Sequence, residues 1–412
     1  MIARLYSKIN FEKTNYYMIL LFAFLMPLSR ATNSLFDALL IVFLLLQGNY
    51  RERLSQLKDS SLAKAILLFI LFTVISLLWT DQLHEGLNGK KLYLQWFAIF
   101  AIALSIKKEQ VFTVVSAFLF GMLVSEILSY GMFFEFWTIK GKGPEYPSPF
   151  MFHIDYSVFL GFTAIILLNR MLSKRYDLKE KIFLTLFFLT VTGNLFINDG
   201  RTGQLAFFVG IVAAVFIHFK INLKSIGIAA LLITVLFAGA YQFSTKFQQR
   251  VTAAQNDIQK ITEGNLNSSW GYRIAMYSVA ADIAKENPLI GVGVGDYQQA
   301  SYDALQKDNH GFSKSFQEFL PKRHFHNQYL NVLVQGGLVG LILMLSIFYY
   351  LFKLPIQDPE LKELSLLFGV VMLTAFVAEP LWLKQFTNML FILFIGLFLG
   401  ASLHGKPLAH NA

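Results

Sequence analysis

The sequence predicts an all-α, polytopic membrane protein of about twelve transmembrane helices, with one long outer loop that itself contains helices. Three observations carry this. Of the 412 residues 55% are hydrophobic and only 15% charged, with a positive mean hydropathy, which is too apolar for an ordinary soluble domain. Apolar runs that can cross a bilayer, or nearly so, recur along the whole chain between short stretches of Lys, Arg, Gly, Pro and Asn. Basic residues crowd alternate connections.

Taken in order, the runs are Tyr16 to Leu28, Leu35 to Leu46, Leu62 to Trp79, Leu92 to Ile106, Val111 to Phe134 and Phe152 to Leu168. They continue with Ile182 to Ile197, Gly203 to Phe219, Ile226 to Tyr241, Tyr329 to Phe352, Leu364 to Val377 and Met389 to Leu403. Several fall short of the ~20 residues usual for a spanning helix, and the second carries Asp37 near its start. An even count puts both termini on one side. With that side cytoplasmic, "RERLSQLKDSSLAK", "IKKEQ", "NRMLSKRYDLKEK", "FKINLK", "FKLPIQDPELK" and the two tails hold just over half of the 35 Lys and Arg, as the positive-inside rule requires. The net charge of +9 is then mostly topology, and no nucleic-acid partner is expected. No small-residue cleavage site follows the first run, so it reads as a retained anchor. Cysteine is absent, which removes disulfides and thiolate metal sites.

The chain therefore divides into helices one to nine (1–242), a large outer loop (243–325), and helices ten to twelve with a short tail (326–412). The loop holds eight acids against nine bases, so anion binding there must come from particular residues. Long loops of this kind tend to be functional. Within it, "SSWGYRIAMYSVAADIAKENPLIGVGVGDY" opens on Ser268 and Ser269 as possible caps. It places Trp270, Ile274, Tyr277 and Ala281 at helical spacing and stops at Asn287-Pro288. Such a helix suits the membrane surface or the top of the bundle. Gly291, Gly293 and Gly295 lack the Lys-Ser/Thr or the spacing of a nucleotide loop and read as a tight turn.

His326 lies at the outer end of the tenth run, where the long loop re-enters the membrane. Histidine can accept a proton near neutrality; the plainer reading is an interfacial residue capping backbone groups. Gly336 and Gly340, a GxxxG step in the same run, suit close helix packing. Arg201, in the short outer turn "NDGRTG", stands near the hydrocarbon boundary, where charges are costly and often functional, or else snorkel to headgroups. Arg273, one turn after Trp270, offers a fork of donors that suits phosphate, or is simply solvated. Arg30, Lys90, Lys91, Arg323 and Lys384 are further outer-side cations. Asp37, Glu126 and Glu379 lie in or beside runs, either as a proton relay in a transporter or paired with neighbouring donors. His324 and His326 form an HxH pair, but no third ligand stands at a telling spacing and no DxD pair exists, so no metal is expected.

Together these residues resemble the O-antigen ligase family, in a superfamily shared with O-antigen polymerases and bacterial O-oligosaccharyltransferases. "HNQYLNVLVQGGLVG" is similar to its pattern of His, then Asn, Ser or Gln, nine residues, then Gly-x-x-Gly, through His326, Asn327, Gly337 and Gly340. "RTG" at Arg201 and "WGYRIAMYSVAADIAKENPLIGVGVGDY" look like its other recurrent stretches. The motifs cover about Phe183 to Leu351. The first five runs carry none.

The resemblance implies a GT-C-like glycosyltransferase in a bacterial inner membrane, with both termini cytoplasmic and its active site on the periplasmic side. It would move a glycan from undecaprenyl diphosphate to a sugar hydroxyl of the lipid A core, with inversion and without a cofactor. The departing diphosphate needs cations, which Arg201 and Arg273 would supply. The acceptor hydroxyl needs a base, which His326 would supply with Asn327 orienting. A polymerase or a protein O-oligosaccharyltransferase would use similar chemistry. A solute transporter is the non-enzyme alternative, favoured by Asp37 and Glu126 but not by the long loop.

Overall fold

The computed structural model describes residues 10–403, which are almost entirely helical and contain no β-strand. The tails 1–9 and 404–412, assigned above to the cytoplasmic side, lie outside the described residues, as does the Lys90 side chain. All twelve apolar runs fall on helices. The first half comprises α1 (Phe11–Leu25), α2 (Arg30–Gln47), the short polar α3 (Tyr50–Lys58), and α4 (Ser61–Ile75), which continues as a 3₁₀ turn to Trp79. It goes on through α5 (Leu83–Leu94), α6 (Phe97–Ser105), α7 (Lys108–Phe133), α8 (His153–Leu172), α9 (Leu178–Ile197), α10 (Arg201–Phe219) and α11 (Leu223–Phe243). After the 243–325 segment come α16 (Gln328–Phe352), α17 (Pro359–Phe376) and α18 (Gln385–Leu403).

Among the described residues nine helices are long and apolar enough to cross a membrane: α2, α4 with its 3₁₀ extension, α7 to α11, α16 and α18. The chain is an all-α polytopic membrane protein. Of the other predicted spans, α1 is short and the first turn of α17 is charged. The fourth run, expected as one helix, is broken. The polar α5 ends at Leu94 and α6 begins at Phe97, with i→i+3 bonds such as Trp96 N–H to the Tyr93 carbonyl (3.1 Å) carrying the chain through. The buried Trp96 explains the break. Its ring stacks on Phe69 and meets Trp382 edge-on at 4.7 Å, and its Nε1–H donates to Asn388 Oδ1 at 2.8 Å, anchors that outweigh helix continuity.

Helix starts follow local chemistry. Ser29 and Ser60 cap α2 and α4, capping boxes open α9 (Asp177, Glu180) and α11 (Asn222, Ser225), and Asp358 caps α17 ahead of Pro359. α18 is apolar on every side and buried along nearly its whole length, as is most of α8, so these two form the centre. α11 is mostly exposed. α10 packs so closely on α8 that a Cβ on Gly203 would lie 2.0 Å from the Ser157 carbonyl oxygen. The glycine of "RTG" is therefore a packing requirement.

The 243–325 segment is itself helical: α12 (Thr245–Thr262), α13 (Ser269–Glu286), α14 (Tyr297–Lys307) and α15 (Lys314–Phe319). Ser268 caps α13 through the Gly271 N–H, as the sequence suggested. The stripe read from the sequence is not the face that packs. Trp270, Ile274 and Ala281 are exposed, while Ala275, Met276, Val279, Ala280 and Ile283 are buried in a second core with Leu305, Phe316, Phe325 and Val334. These residues lie on the side of α13 that packs against α16.

Candidate active site

Loop and bundle are joined by backbone. The 288–295 stretch lies along α16 at its kink, where Gly337 is non-helical (φ +60°). The Leu338 and Val339 N–H groups donate to the Pro288 and Leu289 carbonyls (2.8 and 3.0 Å), and the Val292 and Gly293 N–H groups donate to those of Val334 and Gln335 (2.9 and 3.1 Å). A Cβ on Gly337 would stand 2.3 Å from Leu289 backbone atoms, and one on Gly291 2.5 Å from those of Gln335 and Gly336. With Gly291, Gly293 and Gly295 all at positive φ, the glycine run is a turn that docks backbone on backbone. Gly336 and Gly340 instead face the Phe72 ring of α4, the close helix packing read from their spacing.

Docking the loop at the kink holds the chain entering α16. Phe325 is buried in the second core and Asn327 caps the helix, its Oδ1 accepting from Leu330 N–H at 3.1 Å. Between them His326 adopts φ +47°, a left-handed conformation that costs a non-glycine residue roughly 1–2 kcal/mol. Its N–H donates to His324 Nδ1 at 3.3 Å, and the two rings lie 4.4 Å apart. Asn327 Nδ2 donates to the Val377 carbonyl at 3.2 Å, tying this bend to the connection between α17 and α18.

That connection supplies the residue the sequence underweighted. Glu379, fully buried, accepts from His326 Nδ1 at 2.7 Å and pairs with Lys384 Nζ at 3.3 Å and Arg273 Nη2 at 3.8 Å. Burial alone would raise its carboxyl pKa. The His326 hydrogen bond and the Lys384 charge outweigh it and hold the group down to about 2. Since the carboxylate only accepts, Nδ1 carries a proton, so the neutral imidazole would hold its lone pair on Nε2, on a side chain about a third exposed. The partner orienting His326 is thus Glu379, while Asn327 acts on the backbone. His324 is pushed down to about 4, first by burial and then by the His326 charge, and stays a neutral acceptor for the bend.

Arg201 opens α10, and Arg250 and Arg273 are near enough for their charges to act on it. Its guanidinium has no hydrogen-bond or ion-pair partner among the described residues, whereas Arg250 pairs with Asp199 at 2.9 Å. Arg201, Arg273, His326 and Glu379 therefore gather at the end of the bundle covered by the 243–325 segment. Asp37 and Glu126 are buried within α2 and α7 and do not join them. Lys384 joins through Glu379; the Arg30 guanidinium instead donates to Gln385 at 2.5 Å, and Arg323 lies over Phe319.

The HxH pair does gain a third ligand through folding: potential ligand atoms of His324, His326 and Glu379 lie within 4.8 Å of one another. Their chemistry fits a cation poorly. His324 Nδ1 and His326 Nδ1 are already engaged, and two positive side chains face the carboxylate.

Residues 186–345 match the family described as O-antigen ligase. The chain is 29% identical over 241 residues to an uncharacterized protein of Haemophilus influenzae (56% of this chain, 58% of the relative). It is 27% identical over 178 residues to an O-antigen ligase of Escherichia coli K12 (43% of this chain, 42% of the relative). The chain thus spans about half the length of the curated relatives it matches. The matched segment contains Arg201, Arg273 and His326 together with the kinked glycine helix that follows His326, and over it the chain is similar to the O-antigen ligase family.

Proposed function

We propose that this protein is an O-antigen ligase: an inverting, metal-independent glycosyltransferase that moves a glycan from undecaprenyl diphosphate to a sugar hydroxyl of the lipid A core. Its active site would face the periplasm from the inner membrane. The observation that carries the reading is the His326–Glu379 pair at 2.7 Å, set beside a guanidinium without a partner. In this mechanism His326 Nε2 takes the acceptor's hydroxyl proton as the oxygen bonds to the anomeric carbon. The bond from that carbon to the diphosphate oxygen breaks, and its electron pair leaves with the diphosphate. Glu379 stabilises the imidazolium, as a buried carboxylate does for a general base. Arg201 and Arg273 meet the charge that develops on the leaving group. Asp37 and Glu126 stand apart from this cluster, which favours transfer over a solute-coupled proton relay.

The test is a lipopolysaccharide gel of a deletion strain. Loss of the whole O-antigen ladder, with accumulation of the lipid-linked glycan, is expected. A single repeat remaining on the core would make the protein a polymerase, and an unchanged gel would remove both.

A further inference from the structure

At the end of the bundle away from His326, a cavity of about 540 Å³ opens between α7, α8 and α9. Its walls are Leu119, Phe120 and Leu123 on α7 and Phe183, Leu184 and Phe187 on α9; its mouth carries Arg170, Tyr176 and Lys179. From Ser116 to Leu123 the trench follows α7 for roughly 10 Å at 1.5 Å per residue, the length of a good part of an acyl chain. Phe120 and Phe183 are both exposed, so the groove is open sideways to the bilayer.

The cation at its mouth has no carboxylate hydrogen-bonded to it. Arg170 is 93% buried, from its 7% exposure, yet its guanidinium donates only to neutral oxygens, Ser116 Oγ at 3.1 Å and the Phe112 carbonyl at 3.2 Å. Glu360, whose charge reaches Arg170, is hydrogen-bonded instead to Arg175 Nε (3.2 Å), the Tyr176 hydroxyl (2.9 Å) and the Ser173 hydroxyl (2.8 Å). Glu180 also lines the cavity, but its carboxylate accepts from the Asp177 N–H in the cap of α9. A buried guanidinium with no carboxylate hydrogen-bonded to it, next to an exposed lysine and above an apolar trench, is complementary to an anionic headgroup with its chain.

We propose that this groove binds a membrane phospholipid with an anionic headgroup, its phosphate held by Arg170 and Lys179 and one acyl chain laid between α7 and α9. The site is separate from the transfer chemistry and stands whether or not that reading holds. The test is thermal unfolding of the full-length protein in detergent, titrated with dioleoyl phosphatidylglycerol or dioleoyl phosphatidylcholine. Phosphatidylglycerol is expected to raise the midpoint by about 3 °C or more beyond phosphatidylcholine, as ligand linkage requires. Lys179→Glu, an exposed position, and Leu123→Trp, which fills the trench, should abolish that difference while leaving the midpoint in phosphatidylcholine unchanged. Equal shifts with both lipids, or a difference that survives Lys179→Glu, would overturn the proposal. So would protection that comes only with rising protein concentration, which would give the groove to a second copy.

Discussion

At the scale of single residues, His326 and Glu379 are hydrogen-bonded, and in the proposed mechanism they act as a unit, one holding the lone pair and the other fixing which nitrogen holds it. His326→Ala should lower transfer by ~10²- to 10⁴-fold, the usual contribution of a positioned base. Glu379→Gln keeps the size but loses the charge that stabilises the imidazolium, and its loss should be of similar order. Initial rates at matched membrane abundance check both. Arg201 and Arg273 divide by geometry: Lys keeps the charge but not the planar fork, so it should leave partial activity where Ala leaves very little. Normal transfer by both Ala variants would remove the diphosphate assignment. His324 makes a different, pH-dependent contribution. Its folded pKa of about 4 lies below its ordinary value of 6.5, so the stability tied to its neutral form is complete above about 6.5 and is lost as pH falls toward 4. His324→Asn keeps an acceptor for the His326 N–H without titrating; its unfolding midpoint should fall less than the wild type's across that window. An identical fall would show that His324 contributes nothing to it.

Among the elements, the kink of α16 governs the site because it seats the 288–295 loop. Gly337→Ala would push a Cβ into the Leu289 backbone at a positive φ, a change that should destabilise by more than about 1 kcal/mol and displace the bend at His326. Gly239→Ala, in α11 with open space around it, should be neutral or gain up to about 1 kcal/mol from helix propensity. Unfolding midpoints in detergent separate the two, and equal effects would refute the docking role. The glycines were visible in the sequence as a turn and a packing motif, but that turn and helix meet backbone to backbone was not, since no local pattern encodes a contact across forty residues. Which face of α13 packs was also not legible: Trp270 and Ile274 are exposed, while Ala275, Met276, Val279, Ala280 and Ile283 lie inward. The broken fourth span likewise hid behind an unbroken apolar run, because its cause, the Asn388 partner of Trp96, lies at the other end of the chain.

For the whole molecule, apolar length and period made the helices legible, and their order brought Arg201, Arg273 and His326 to one end. Glu379 and Lys384 could not be assigned in the same way: the acid lies 53 residues from its histidine, so only the fold pairs them. The chain's lack of cysteine makes its orientation directly testable. Tyr302→Cys, exposed on α14, should react with a membrane-impermeant maleimide added to the periplasmic side, while Lys174→Cys, between α8 and α9, should not; the opposite pattern would invert the topology. Transfer should also survive EDTA, since two cations already face Glu379, and rescue of a lost activity by magnesium or manganese would restore a metal role to the HxH cluster. The central claim is that His326 is the base, and the most direct measurement is the rate of glycan transfer from undecaprenyl diphosphate to lipid A core by purified His326→Gln, with donor binding measured separately. A loss of at least ~10²-fold with donor binding intact is expected; near-normal transfer would mean that position 326 only orients the acceptor.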